Sequence, residues 1–182
     1  MTVKECVEKA ATLLGIADDV CAYLDKGSMQ GKEQAERLVK CFNIVENELS
    51  LDYLPLFTEQ KIRTESGEVE FIRLEKNVVR IVGVKDGKGE RVKYRLFPKY
   101  LEAPKGDLTI LYSYTPSEKG LEEESDFVTL SVWLFGYGMA MNYALMMGLY
   151  EEGALWEKKY KEALSAAYRV HGAAVVRSRG WV

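Results

Sequence analysis

The sequence has few of the residues that most enzyme chemistry requires. Among its 182 residues there is one histidine, His171, and there are three cysteines. His171 stands beside Gly172, with no neighbouring cysteine or carboxylate that would form a pair of nucleophile and base. Motifs for phosphate loops, dinucleotide sites, acyl transfer, zinc hydrolases and calcium loops are absent as well. The sequence therefore predicts a protein that is not an enzyme and that holds no cofactor.

The cysteines are too few and too far apart for a disulfide framework or a zinc site. Cys6, Cys21 and Cys41 each lie among apolar residues in a helix-like segment. Because free cysteine is among the residue types most often buried, we expect three reduced, buried thiols in a reducing compartment. Lys4 and Glu5 interrupt the apolar pattern near the start, so no signal peptide is expected.

Neither sign of charge dominates, since 25 Lys and Arg stand against 28 Asp and Glu, a formal net charge of -3. Bulk electrostatics therefore identifies neither a nucleic acid nor a membrane as partner. The hydrophobic share of 47% and the charged share of 29% are those of an ordinary globular protein. The length suits one domain with a sizeable core, or a domain with a small insert.

The N-terminal third of the chain has helical periodicity. Thr2 and Glu5 have the spacing of a capping box, and Gly15 ends the predicted first helix. Asp18 or Asp19 is expected to cap a short second helix. A longer third helix carries an apolar stripe made of Ala35, Leu38, Val39, Phe42, Val45 and Leu49. Its charged residues are expected to face away from that stripe, namely Glu36, Lys40 and Glu46.

The period of the apolar residues changes to two between about residues 58 and 116, as in Leu108, Ile110 and Tyr112. Turn signals rich in glycine and proline interrupt this region at 66–67, 85–89 and 104–106. We expect a small antiparallel sheet of about four strands.

Helical periodicity returns after an acidic, loop-like run at 117–125. Residues 127–150 contain no charged residue, and this length is sufficient to cross a bilayer. Polar residues and glycines dilute its hydropathy and both flanks are acidic, so a central helix buried on all sides is favoured over a membrane span. The next helix is predicted to bury Trp156, Tyr160, Ala163, Leu164 and Ala167.

The predicted fold class is α+β, mainly a helical bundle from the N- and C-terminal halves, with a small antiparallel β insert and an extended C-terminal tail. The expected boundaries are 1–57 for the first half of the helical domain, 58–116 for the β insert, 117–170 for the second half and 171–182 for the tail. We expect the two halves to pack together, because neither alone covers its apolar stripes.

Two local clusters of charge each admit more than one interpretation. The run Glu122 to Glu124 with Asp126 is expected to be a solvated loop that places negative charge at a helix N-terminus, and cation binding is the alternative. Basic residues gather around a predicted hairpin, at Lys85, Lys88, Arg91, Lys93, Arg95 and Lys99. For these a solvated strand face is favoured over a protein partner and over nucleic acid.

The C-terminal tail has no acidic residue after Glu162 and ends in a basic and aromatic segment. Arg177, Arg179 and Trp181 are of residue types that are enriched at binding hot spots. We expect these three residues to bind a partner. A frayed terminus with an incidental tryptophan is the alternative.

Short segments across most of the chain follow one another in a distinctive order, with a β insert between helical halves. They are Glu48-Leu49, Tyr53 to Leu56, Phe71 and Leu74, Val79 to Ile81, Tyr112 to Pro116, Tyr137 to Ala140, Asn142 to Leu145, Gly148 to Ala154, Trp156 to Tyr160, and Arg177 to Trp181. This order resembles that of the tail adaptor, or head-to-tail connector, proteins of tailed bacteriophages.

The resemblance implies a structural virion protein without catalytic activity, made in the host cytoplasm and located in the virion neck between capsid and tail. Copies would form a homo-oligomeric, dodecameric ring under the portal protein, contact tail or nozzle proteins and leave a channel for DNA that is not bound sequence-specifically. Arg177, Arg179 and Trp181 would anchor the tail of the chain on the portal or on neighbouring subunits. No membrane contact is implied.

An alternative function belongs to a different class. The chain would be a soluble, monomeric binding or regulatory module whose β insert holds a peptide or protein partner on an exposed edge. The mass of the purified particle separates the two functions, because a connector forms rings.

Overall fold

The structure is a computed structural model that describes residues 1–172. These residues form five α-helices and two small antiparallel sheets, so the fold is mixed α and β and not purely a helical bundle. The chain divides into two compact units. A helical unit contains residues 1–49 and the residues from 118 onward, and a β unit contains residues 50–117.

Helix α1 (Val3–Leu14) begins and ends where local sequence rules place its caps. The Glu5 backbone N–H donates to Thr2 Oγ1 at 3.2 Å, and the Glu5 carboxylate accepts from the Thr2 backbone N–H at 2.9 Å. This reciprocal pair is the predicted capping box. Gly15 adopts a φ of 72°, the left-handed conformation that glycine tolerates best, and its N–H returns to carbonyls of the last turn.

Helices α2 (Ala17–Lys26) and α3 (Lys32–Glu48) complete the N-terminal part of the helical unit. The prediction that Asp18 or Asp19 caps α2 is wrong, because the cap position is Ile16 and both aspartates lie in the first turn. Asp19 Oδ1 instead accepts from Gln30 Nε2 at 2.7 Å, which ties the loop before α3 to α2. A π-helical turn, Leu49–Tyr53, follows α3.

Helix α4 (Val132–Met146) and helix α5 (Tyr150–Gly172) form the C-terminal part of the helical unit. The expectation of a helix buried on all sides over 127–150 is wrong in two respects. The helix begins only after the N-cap Ser131, and the apolar residues near its end are exposed. No helix among residues 1–172 is long and apolar enough to cross a membrane.

Two glycines in α4 allow neighbouring helices to approach closely. A Cβ at Gly138 would lie 2.9 Å from Tyr160 Cε2 and 2.9 Å from Val45 Cγ2. A Cβ at Gly136 would lie 2.9 Å from Lys9 Cγ. Phe42 and Phe135 stack beside this contact with ring centroids 5.1 Å apart. These two glycines of α4 therefore permit close packing against its neighbouring helices.

The β unit contains two three-stranded sheets, so the expectation of one sheet with about four strands is wrong. The larger sheet has the order β1 (Leu56–Thr64), β6 (Gly106–Thr115), β3 (Asn77–Asp86). The smaller has the order β2 (Glu68–Glu70), β5 (Tyr100–Glu102), β4 (Arg95–Leu96). All pairings are antiparallel.

One apolar core joins the two sheets within the β unit. Val69 and Leu101 of the smaller sheet are fully buried in the same cluster as Ile110 and Tyr112 of the larger one. The Tyr112 hydroxyl donates to Gln60 Oε1 at 3.1 Å, so this buried phenol keeps a polar partner. The strand predicted around the basic residues Arg91, Lys93 and Arg95 holds only in part, because regular strand there is confined to Arg95–Leu96.

The close approach at Gly138 gives a stability test. We expect Gly138→Ala to lower the free energy of unfolding by about 1–3 kcal/mol, because the added methyl group would overlap the buried Tyr160 ring and Val45. The measurement is the midpoint and slope of urea unfolding.

Gly136→Ala is the matched control in the same helix. Its methyl group would meet Lys9 Cγ at 2.9 Å and Leu13 Cδ1 at 3.3 Å, on half-buried side chains that can shift more easily than the buried Tyr160 and Val45. Helix propensity gains up to about 1 kcal/mol from the substitution, so we expect a smaller loss than at Gly138. Equal destabilisation by both substitutions would contradict this account of α4 packing.

Candidate functional site

A buried carboxylate on α3 is the most unusual polar group of the helical unit. Glu46 is 1% exposed, so the expectation that it faces solvent is wrong. Lys119 Nζ lies 2.8 Å from Glu46 Oε2 and 3.3 Å from Asp126 Oδ1. Glu46 Oε1 accepts from Ser125 Oγ at 2.7 Å and from the Asp126 backbone N–H at 2.9 Å. The buried charge is therefore paired and hydrogen-bonded, as a low-dielectric interior requires.

A second residue of α3 extends this network. Asn43 Oδ1 accepts from the Lys119 backbone N–H at 2.8 Å, and Asn43 Nδ2 donates to the Lys119 carbonyl oxygen at 3.0 Å. Asn43 and Glu46 are three residues apart and so lie on one helix face. Together they hold the segment that leads from the β unit to α4. The network has a structural role, since its donors and acceptors hydrogen-bond to one another.

The acidic run at 122–124 lies beside the start of α1, whereas α4 begins later, at Val132. The backbone N–H groups of Val3 and Lys4 donate to the carbonyl oxygens of Glu123 and Leu121 at 2.9 and 3.0 Å. These bonds satisfy donors that the first turn of a helix leaves unpaired. Glu122 to Glu124 are exposed, as predicted for a solvated loop, whereas Asp126, predicted to belong to the same loop, is 17% exposed and pairs with Lys119.

The buried ion pair gives a second stability test. We expect Lys119→Met to lower the free energy of unfolding by about 3–5 kcal/mol, because it leaves the Glu46 carboxylate buried without its main cation. The measurement is urea unfolding followed by circular dichroism.

Lys85→Met is the matched control. Lys85 makes an exposed ion pair with Glu59 at 3.1 Å, and such surface pairs contribute about 1 kcal/mol or less. A loss at Lys119 no larger than the loss at Lys85 would show that the buried pair does not hold the helical unit together.

Two of the three thiols are buried and weakly acidic. Burial raises the pKa of Cys6 to about 12 and that of Cys41 to about 11. Burial also raises the pKa of Cys21, which is only half-buried, so the expectation of three buried thiols holds for Cys6 and Cys41 alone. Because the thiolate is the reactive form, none of these environments activates a cysteine nucleophile.

These pKa shifts predict the order of chemical modification. At about pH 8 we expect a thiol reagent to modify Cys21 first, and Cys6 and Cys41 only after denaturation, since their thiolate fractions are very small below a raised pKa. Mass spectrometry of labelled peptides gives the readout. Cys21→Ser should abolish the fast phase, and rapid labelling of Cys6 or Cys41 in the folded protein would contradict the prediction.

An exposed apolar surface lies at the turn from α4 to α5. We call it the corner surface, and it consists of residues that are each 44–72% exposed: Leu145, Met146, Met147, Leu149 and Tyr150. Gly148, with a φ of 75°, makes the turn between the helices. Arg37 Nη1 contacts Met147 Sδ at 2.9 Å, which fixes one side of the surface against α3. Large exposed apolar patches mark interaction sites in soluble proteins, and these five exposed side chains lie close together along the chain at one turn.

The β unit has an apolar groove of about 790 Å³. We call it the β-unit groove, and it is lined by Glu68, Glu70, Phe71, Ile72, Pro98, Lys99 and Tyr100. Ile72 is 88% exposed, and Phe97 stacks on Tyr100 with ring centroids 4.6 Å apart. The groove wall therefore includes Tyr100, whose ring stacks on Phe97 outside the groove, and the highly exposed aliphatic side chain of Ile72.

The basic residues around the β3–β4 turn are mostly solvated. Arg91, Lys93 and Arg95 are exposed and alternate with the half-buried Val92 and Tyr94. This alternation is the predicted solvated strand face, although the backbone there is only partly regular strand.

The predicted partner-binding residues Arg177, Arg179 and Trp181 lie outside the described residues. The backbone of His171 belongs to α5, so the helix extends beyond the expected boundary at residue 170. Among residues 1–172 there is no group of three or more histidines, cysteines or carboxylates arranged to hold a metal ion.

No protein-family model and no curated protein matches this chain. Similarity to a protein of known function therefore adds nothing to the resemblance in segment order. The case for a function rests on the chain's own residues, chiefly the corner surface and the β-unit groove.

Sequence periodicity missed both surfaces. The corner surface coincides with a run of large apolar residues around Gly148. Because glycine commonly ends a helix, Gly148 indicates that the chain changes direction within this apolar run. The groove had no comparable signal, because its walls come from residues 68–72 and 98–100, which only sheet pairing brings together.

Proposed function

We propose that the chain is a structural virion protein, a head-to-tail connector (tail adaptor) that assembles as a dodecameric ring under the portal protein. In this role it attaches tail or nozzle proteins and leaves a channel for DNA. It acts in the virion neck after synthesis in the host cytoplasm, without catalysis, a cofactor or membrane contact. The order of sequence segments supports this proposal, together with the surfaces described above.

The corner surface is the observation that carries the proposal. A monomeric soluble protein rarely exposes large contiguous apolar patches, because water contact with such side chains is unfavourable. Five successive or nearly successive large apolar side chains here are between 44% and 72% exposed. A ring buries such a surface in every copy, since a heterologous contact repeats around the closed assembly.

The overall charge agrees with a DNA channel. A protein that neutralises many phosphates holds DNA tightly, with an affinity that depends strongly on salt. The formal net charge of -3 provides no such excess of cations. Passage of DNA without sequence-specific binding is compatible with this balance.

A second function is favoured by the β-unit groove. A monomeric binding or regulatory module would hold a peptide against Phe71, Ile72 and Tyr100, in a pocket of the size that ligand sites commonly have. This function requires no contact between copies. The two functions therefore differ in the mass of the particle in solution.

Ring assembly is tested with the full-length chain. We expect sedimentation velocity and negative-stain electron microscopy to show closed rings that bind a portal protein from the same genome. Deletion of residues 177–182 should weaken ring formation or portal attachment by about tenfold or more while leaving the circular dichroism spectrum unchanged. A monomer at every concentration, without portal binding, would rule out the connector function.

Two substitutions test whether the corner surface takes part in ring formation. Leu149→Asp should shift the population from rings toward monomers, because it places a charge within an apolar contact. Val128→Asp is the matched control, since Val128 is similarly apolar and exposed but lies outside the corner surface. Equal effects of both substitutions on ring formation would remove the corner surface from the interface.

A further inference from the structure

The outer face of the smaller sheet carries carboxylates that oppose one another. Glu68 and Glu70 of β2 are exposed, whereas Val69 between them is buried. Glu68 lies directly opposite Glu102 in β5, and Arg95 of β4 lies opposite Glu102 on its other side, so a cation adjoins Glu102 but is one strand further from Glu68. Like charges in directly opposed positions destabilise an antiparallel pair. Within residues 1–172, neither Glu68 nor Glu70 takes part in an ion pair that would relieve this repulsion.

The apolar part of the β-unit groove adjoins these carboxylates. Glu68 and Glu70 line the same groove as Phe71, Ile72 and Tyr100. Lys99 lines the groove as well, but within residues 1–172 it forms no ion pair with Glu68 or Glu70. An occupant that fits the whole groove therefore needs cationic groups for the carboxylates and a large apolar group for the aromatic side chains. Arginine suits the first requirement, since its guanidinium pairs with carboxylates and also stacks on aromatic rings.

The chain itself contains a segment with this chemistry. Arg177, Arg179 and Trp181 occupy alternate positions, and the chain has no acidic residue after Glu162. In an extended segment, alternate side chains point to one side and are about 6.7 Å apart along the chain. Glu68 and Glu70 of β2 have the same spacing. Two arginines can thus meet two glutamates in register while the tryptophan lies further along.

We propose that residues 173–182 of one copy bind the β-unit groove of a second copy. Arg177 and Arg179 pair with Glu68 and Glu70, and Trp181 packs against the apolar lining residues Phe71, Ile72, Pro98 and Tyr100. This assignment rests on the proposed function, because it requires copies to meet, and it specifies which surface receives the basic tail.

Recognition in this contact depends on side chains. The carbonyl oxygen of Glu68 already accepts from Thr64 Oγ1 at 2.8 Å, and its N–H already donates to Ser66 Oγ at 3.1 Å. The edge of β2 at Glu68 therefore has its backbone groups engaged within the β unit. Charge pairing and burial of the tryptophan supply the affinity, so the contact weakens as the salt concentration rises.

Reciprocal charge reversal in the full-length chain tests the contact. We expect Glu68→Arg with Glu70→Arg to weaken self-association by about tenfold or more in sedimentation velocity, and Arg177→Glu with Arg179→Glu to do the same. The protein that carries all four substitutions should regain the association of the original chain to within about threefold, because the opposite charges face each other again.

The matched control reverses two other exposed carboxylates at the same spacing, Glu122→Arg with Glu124→Arg, and should leave self-association unchanged. Rings that persist after reversal at Glu68 and Glu70 would overturn the tail contact and leave the connector function standing. Failure of the fourfold variant to recover would also overturn the contact. A chain that is monomeric before any substitution would overturn both the contact and the connector function.

Discussion

The helical unit depends on one buried carboxylate. Its residues come from two parts of the chain, before and after the β unit, and Glu46 in the first part binds Lys119 and Ser125 in the second. An ionised carboxylate in a dry interior is costly unless its partners occupy defined positions. The polar network therefore sets how the returning chain lies on α3, whereas the apolar contacts alone would tolerate shifts in that position.

The sequence predicts features whose cause lies within a few residues. The cap of α1 at Thr2 and its end at Gly15 depend on neighbours within one or two turns, so local rules place them correctly. The same rules predict the wrong environment for Glu46, because helical periodicity assigns charged residues to the solvent-exposed face unless a buried partner is known. That partner is Lys119, 73 residues away along the chain. The division of the strands into two sheets is likewise set by distant pairings such as Val69 with Leu101.

The corner surface and the β-unit groove could not be predicted from the sequence for the same reason. Composition indicates that residues 127–150 are apolar, but whether an apolar side chain is buried depends on where the helix turns, here at Gly148. Opposed carboxylates in the smaller sheet cannot be recognised from spacing, because Glu68 and Glu102 become neighbours only through strand register. The basic tail, by contrast, is visible in the sequence, whereas the surface that could receive it is not.

The two ends of the β unit lie next to each other. Strand β1 enters at Leu56 and strand β6 leaves near Tyr114, and these two residues are directly paired in the larger sheet. A segment whose entry and exit adjoin can be lengthened, shortened or exchanged during evolution without moving the ends of the helices that flank it. Replacement or resizing of the inserted sheets therefore need not alter the packing within the helical unit.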